Sequence, residues 1–168
     1  MTQPGPRFPT PTTADQEDRS APNLDVLPLD QHLCFSVYAA SHALTAAYKP
    51  LLEPLGLTYP QYLAMLVLWE EDGQSVKQIA TCLRLDPGTV TPLLKRLERE
   101  GLLRRGRDPA NERLLRVELT DVGRALRSKA GAIQERIVCA MGRTEEPIQA
   151  LKRQIDRIIP LLEAAGSS

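Results

Sequence analysis

Cys34 lies in QHLCFSVY, in or just beyond the first turn of a helix that starts near Leu29-Asp30. A helix N-terminus presents unpaired N–H groups and the positive end of the macrodipole, and both favour a thiolate. A lone cysteine on a helix can also serve as a small buried hydrophobe, so its neighbours decide. Tyr38 follows one helical turn later on the same face, and Tyr48 and Tyr59 flank a connector farther along. Phenolic O–H groups donate to a thiolate or a peroxide oxygen without adding formal charge. The chemistry this set suits is cysteine oxidation, in which a thiolate attacks a peroxide and becomes a sulfenic acid. Cys82 and Cys139 are the other two of three cysteines, too widely spaced for a disulfide framework or a zinc-ligand pattern. Cys82, spaced with Ile79 and Leu83, reads as structural. His32 and His42 sit on different sides of one helix and make a poor metal site with Cys34. No metal or other cofactor is expected.

The elements that must position this chemistry can be read in order. Residues 1–28 hold six of the fourteen prolines and no apolar periodicity, the composition of a disordered tail. Residues 29–57 read as a sensor and dimerisation helix with its connector. Asp30 is the expected N-cap, Leu33, Val37, Ala40, Leu44 and Ala47 form the apolar stripe, and the helix should stop before Pro50. Residues 58–120 open on a helix capped by Thr58, with Pro60 in its first turn and Trp69 as a core anchor. Ser75 then caps a short helix, and Leu85-Asp86-Pro87-Gly88 makes a turn in which Asp86 caps the next helix and Pro87 takes its first position. That helix buries Val90, Leu93, Leu94 and Leu97, is bent at Pro92 and ends at Gly101. Leu102 to Arg105 and Leu114 to Leu119 read as strands around the loop GRDPANER. Residues 121–168 carry two amphipathic helices, capped by Thr120 and Thr144. The fold class is mainly α with a small β-hairpin: a winged helix-turn-helix with N- and C-terminal dimerisation helices.

The partner such a reading head suits is double-stranded operator DNA. The chain has zero net charge, yet from Lys95 to Arg116 eight basic residues face four acidic ones. That local excess can steer the head to phosphates. Gly88, Thr89 and Thr91 at the start of the second helix should approach base edges, with Lys95 and Arg96 on phosphate. Arg113 at the wing tip suits a narrow minor groove. Helices this long at both ends favour a homodimer with two reading heads. There is no membrane-spanning segment, since the apolar run Tyr62 to Trp69 is too short, and reduced thiols fit the cytoplasm.

The run LCFSVYAASHALTAAYKPLLEPLGLTYPQYLAMLVLWE, followed by LDPGTVTPLLKRLEREGLLRR, closely resembles the organic hydroperoxide resistance regulators. These are a redox-sensing branch of the MarR family of dimeric winged-helix repressors. The resemblance covers about Leu29 to Leu162. It implies that Cys34 is the peroxidatic cysteine, that Tyr48 and Tyr59 hydrogen-bond that thiol across the dimer interface, and that Tyr38 lines the pocket. It further implies that Cys139 is the resolving cysteine of the two-cysteine subclass, supplied by the opposite subunit. In the wing, Asp108 and Arg113 match an Asp…Arg pair whose arginine reaches a minor groove. Two positions depart from the pattern: Pro87 stands where relatives often carry serine, and Asn111 replaces an acidic residue common in the wing.

The mechanism these residues suggest is release from DNA by an organic hydroperoxide. Leu33, Phe35, Val37, Leu57 and Met65 are candidates for an apolar pocket that admits alkyl and lipid peroxides. Attack by Cys34 and condensation with Cys139 would then shift helices and the attached heads. A MarR-type repressor released by a noncovalent ligand, with Cys34 inert, is the nearer alternative. A thiol peroxidase is the more distant one, because an enzyme has no use for the basic hairpin.

Overall fold

The computed structural model describes residues 26–108, 111–142 and 145–166, and for 108, 111–114 and 145 it describes the backbone only. Most of the expected tail lies outside the described residues, as does the expected Thr144 cap.

After a 3-10 turn over Leu29–Gln31, helix α1 runs Leu33–Leu52. Asp30 is not its cap: it sits inside the 3-10 turn, and His32 takes the N-cap position without a side-chain bond. Nor does α1 stop before Pro50, which falls within its last turn. That last turn carries the fully buried Leu52. Burying a leucine contributes about 2 kcal/mol, which offsets much of the roughly 3 kcal/mol that a helical proline costs. Gly56, at φ 69°, ends a second 3-10 turn over Glu53–Leu55. Helix α2 (Tyr59–Glu70) then begins at Thr58, whose backbone N–H and hydroxyl both donate to Gln61 Oε1, at 2.7 and 2.9 Å.

Strand β1 is only Gln74–Ser75, too short for alternation to reveal from sequence. Ser75 has a double role, because its side chain also caps α3 (Val76–Leu83) by accepting from the Gln78 N–H. Arg84 leaves α3 in the left-handed region (φ 53°), and α4 (Pro87–Arg99) follows, capped by Asp86 as its sequence suggests. Strands β2 (Leu103–Asp108) and β3 (Asn111–Leu119) pair antiparallel with Leu103 opposite Leu119, and β3 lies at the centre of the order β1-β3-β2. The hairpin is longer than its sequence suggests: most of GRDPANER is strand, with an irregularity between Arg107 and Asp108. Val117 and Leu119 point into the core, whereas Leu115 is half exposed because the wing there has run past the core edge.

Helix α5 (Asp121–Ala140) starts at Thr120, whose hydroxyl accepts from the Gly123 N–H, and α6 spans Glu145–Gly166. The core gathers Leu52, Met65, Leu68 and Trp69 with Ile79, Val90, Leu94 and Leu97, closed by Leu103 and Val117 from the sheet and by Ile133 and Ile137 of α5. This is a winged helix-turn-helix carried on long helices. Those helices keep much apolar surface open: Leu33 and Tyr38 of α1 and Leu151, Leu161 and Leu162 of α6 are all exposed. No described helix is long and apolar enough to cross a membrane.

Candidate functional site

Cys34 is the second residue of α1, in its first turn, and it is free and exposed. Tyr38, one turn on, leans against His42 with ring centroids 4.4 Å apart. The other two expected tyrosines meet at the far end of α1. Tyr48 lies 4.7 Å from Tyr59 and 5.7 Å from Tyr62, whose ring lies edge-on to Trp69 at 6.3 Å. Tyr62 was not among the expected site residues; its helical spacing marks it only as core. Burial pushes the Tyr48 phenol up to about 12, with the nearby Tyr59 and Tyr62 phenols adding to the effect. Burial raises Tyr59 and Tyr62 as well. All three are O–H donors at neutral pH, as an unshifted tyrosine also is.

Within one chain, Cys34 does not meet this pair. Cys34 and Tyr48 are fourteen residues apart on one helix, a separation of about 21 Å at the α-helical rise. Two open cavities lie along α1. One, of about 600 Å³, has Ala46, Leu57, Tyr59 and Pro60 as its apolar wall and His42 and Lys49 among its polar groups. The other, of about 370 Å³, runs between α1 and α6 and is lined by Leu33, Val37, Ala40 and Leu44 with Leu151 and Ile155. Leu33 and Val37 line the second cavity, but Leu57 lines the first and Phe35 neither, so the single pocket expected near Cys34 is divided. Met65 lines neither: it is fully buried in the core, because its face of α2 turns toward α3 and α4.

Cys139, next to last in α5, is exposed. Cys82, expected to be structural, is exposed too. Ile79 faces inward from α3 while Cys82, three residues on, falls off the edge of that stripe. Among the described residues no group of three or more His, Cys, Asp or Glu is placed to hold a metal.

The second candidate surface is α4 with the hairpin. Asp86 Oδ1 accepts from the Thr89 N–H at 2.9 Å, and the Thr89 hydroxyl donates to the same carboxylate. These bonds hold the Asp86 carboxyl below its usual range, the Thr89 side chain contributing most. Gly88 keeps that cap open: a Cβ there would stand 2.8 Å from Asp86 Oδ1. The Thr91 hydroxyl turns back to the Pro87 carbonyl at 2.6 Å. Lys95 is exposed, and Arg96 pairs with Glu100 at 3.4 Å. Much of the basic excess is answered inside the fold: Arg104 pairs with Glu118 at 2.7 Å and Arg105 with Glu98 at 2.5 Å. Asp108 and Arg113 hold positions at the outer ends of β2 and β3, and their side chains lie outside the described residues. No motif marks the Glu98–Arg105 pair in advance, since it joins a helix to a strand across a turn.

Comparison with known proteins places these features in context. A family model described as the MarR family matches residues 57–115. The chain is 48% identical over 140 residues to the HTH-type transcriptional regulator TtmR of Methylorubrum extorquens (strain PA1), covering 83% of this chain and 72% of that protein. It is 41% identical over 138 residues to the organic hydroperoxide resistance transcriptional regulator of Bacillus subtilis (strain 168), covering 82% of this chain and 94% of that one. Among solved structures, AbfR of Staphylococcus epidermidis matches with a TM-score of 0.66 at 35% identity, over 80% of this chain and 94% of that chain. A structure of reduced AbfR bound to DNA matches with a TM-score of 0.67 at 34% identity over the same shares.

Proposed function

Given that this chain belongs to the MarR family of transcriptional regulators, in the branch of the organic hydroperoxide resistance regulators, we propose that it is a dimeric, peroxide-released repressor of the two-cysteine type. It acts in the cytoplasm and binds operator DNA in its reduced state. Regulators of this family are non-enzymatic, so the thiol-peroxidase alternative is set aside. DNA binding is supported by the capped reading helix and its wing, and by a relative at 34% identity whose reduced form is described as bound to DNA.

The observation that carries the redox reading is the division of the thiol site. Cys34 is at the exposed N-terminal end of α1, and the Tyr48–Tyr59 pair is at its other end. A second copy running antiparallel would bring the thiol of one subunit to the phenols of the other. The open apolar faces of α1 and α6 are what such a copy would cover. Those phenols are protonated at neutral pH, as any tyrosine is, and can donate to a thiolate.

The chemistry then proceeds in two balanced steps. The Cys34 thiolate attacks one peroxide oxygen, the O–O bond breaks, and the alkoxide leaves to take a proton as the alcohol, leaving a sulfenic acid. The thiol of Cys139 from the partner subunit attacks that sulfur, and water leaves as the disulfide forms. Alpha carbons must come within about 7 Å for that bond. Closing it repositions α1 against α5 and carries the reading heads out of register with DNA. On the DNA, Gly88, Thr89 and Thr91 face base edges, Lys95 and Arg96 face phosphates, and Arg113, which with Asp108 matches the family's wing pair, enters a minor groove. The test is a gel shift with the purified protein. Cys34→Ser should keep operator binding and lose release by cumene hydroperoxide; release that persists removes Cys34 from the sensor role.

The 600 Å³ cavity beside Lys49 and His42 favours one second reading, release by a noncovalent organic ligand with Cys34 inert. Unreactive Cys34 in a thiol-labelling experiment, with release still intact, would establish it.

A further inference from the structure

The joint between the reading head and the dimer helix is built around one residue, Leu119, the last of β3. Its backbone N–H donates to Asp72 Oδ1 at 2.9 Å, and its carbonyl accepts from Arg124 Nη2 at 2.8 Å. Asp72 and Arg124 are themselves paired through Asp72 Oδ2 and Arg124 Nη1. One ion pair therefore holds both backbone groups of the residue at which the wing ends. Asp72 comes from the segment after α2, and it also accepts from the Gly73 N–H at 2.8 Å. Arg124 is in the first turn of α5. Two further bonds fix the same turn: the Trp69 indole N–H donates to the Gly123 carbonyl at 2.9 Å, and the Thr120 hydroxyl to the Gly101 carbonyl at 2.6 Å.

We propose that Asp72 and Arg124 are positioning residues that make the wing and the first turn of α5 a single rigid body, so that α5 sets where the wing meets DNA. The inference rests on the DNA-binding reading above. Cys139 lies fifteen residues along α5 from Arg124, or about 22 Å at the helical rise. A displacement of the Cys139 end is carried by a rod whose other end is bonded to the wing strand. Charge-assisted bonds to backbone groups suit this joint because they fix direction as well as distance. Arg124 is about half exposed, with 51% of its side-chain surface accessible. Its removal should therefore leave the core intact.

The test is a double-mutant cycle on the full-length reduced dimer, with a duplex selected from random sequence by the wild-type protein. Arg113→Ala alone should weaken binding about tenfold, the loss of one groove contact. Arg124→Gln should weaken it by a similar factor with little change in melting temperature. The double variant should be hardly weaker than either, because a displaced wing no longer presents Arg113. Asp72→Asn, which keeps an acceptor for Leu119 but loses the ion pair, should behave as Arg124→Gln does. If the Arg113 and Arg124 losses multiply, the coupling is overturned and the wing contact stands. If Arg113→Ala binds as wild type, the wing contact fails and the coupling fails with it. An Arg124→Gln dimer that binds as wild type also overturns the proposal.

Discussion

Glu98 of the reading helix holds Arg105 of the wing by three bonds. Its carboxylate accepts from the Arg105 backbone N–H at 2.9 Å, from Nε at 2.9 Å and from Nη2 at 2.5 Å. The side-chain bond from Arg105 is the main cause of a Glu98 carboxyl below its usual range. A depressed carboxylate pKa stabilises the fold above the unfolded value of about 4.3, and that contribution is lost as pH falls through the folded value. Glu98→Gln should therefore flatten the acid limb of a stability-versus-pH curve below about pH 4.3. At neutral pH, urea titration should show a loss of about 1 kcal/mol. An acid limb identical to wild type would mean that the pair contributes nothing.

Gly123 allows α5 to begin where it does. A Cβ at this position would lie 2.0 Å from the Leu102 carbonyl oxygen, a backbone atom that cannot swing aside. Gly123→Ala should cost about 3 kcal/mol through backbone displacement, read as a lower urea midpoint. Stability equal to wild type would show that the α5–wing contact gives way easily.

Ser75 serves both a strand and a helix. Ser75→Ala removes the hydroxyl that accepts from Gln78 N–H at 3.2 Å and should cost about 1 kcal/mol. Its backbone pairing, with Ser75 opposite Arg116, is unaffected by the change. A thermal melt measures the loss, and no shift would mean that the remaining Gln78 contact suffices.

Tyr48 should titrate late. Its phenol is pushed up to about 12 by burial, against about 10 for a free tyrosine. The unfolded chain thus ionises first, so this contribution is present below pH 10 and disappears as pH rises through about 12. Tyr48→Phe should remove that alkaline loss of stability. Phenolate absorbance that appears for every tyrosine near pH 10 would contradict it.

The exposed Cys82 is a rival for the oxidised Cys34. Under the proposed mechanism, Cys139→Ser abolishes the covalent dimer that cumene hydroperoxide produces on a non-reducing gel, and Cys82→Ser leaves it unchanged. The reverse pattern would assign resolution to Cys82.

The local sequence determined what local forces decide. Asp86, Pro87 and Gly101 bound the reading helix because capping, a preset φ and a left-handed turn act within a few residues. Thr58 and Thr120 mark helix starts for the same reason. Trp69 was readable as a core anchor from its place on an apolar stripe. What tertiary structure decided is where long-range contact outweighs local preference. Pro50 stays helical in a turn whose burial of Leu52 offsets much of its cost, and Asp30 is passed over as a cap because the chain first makes a 3-10 turn. Met65 belongs to the core and Cys82 to the surface, a choice made by which side of each helix meets a neighbour. The pairs Glu98–Arg105 and Asp72–Arg124 have no signature, because their partners come from different elements. The candidate thiol site divides likewise. Cys34, Tyr38, Tyr48 and Tyr59 could be picked out by residue type, but the length of α1 alone places the first about 21 Å from the third, so under the proposed mechanism a second chain completes the site.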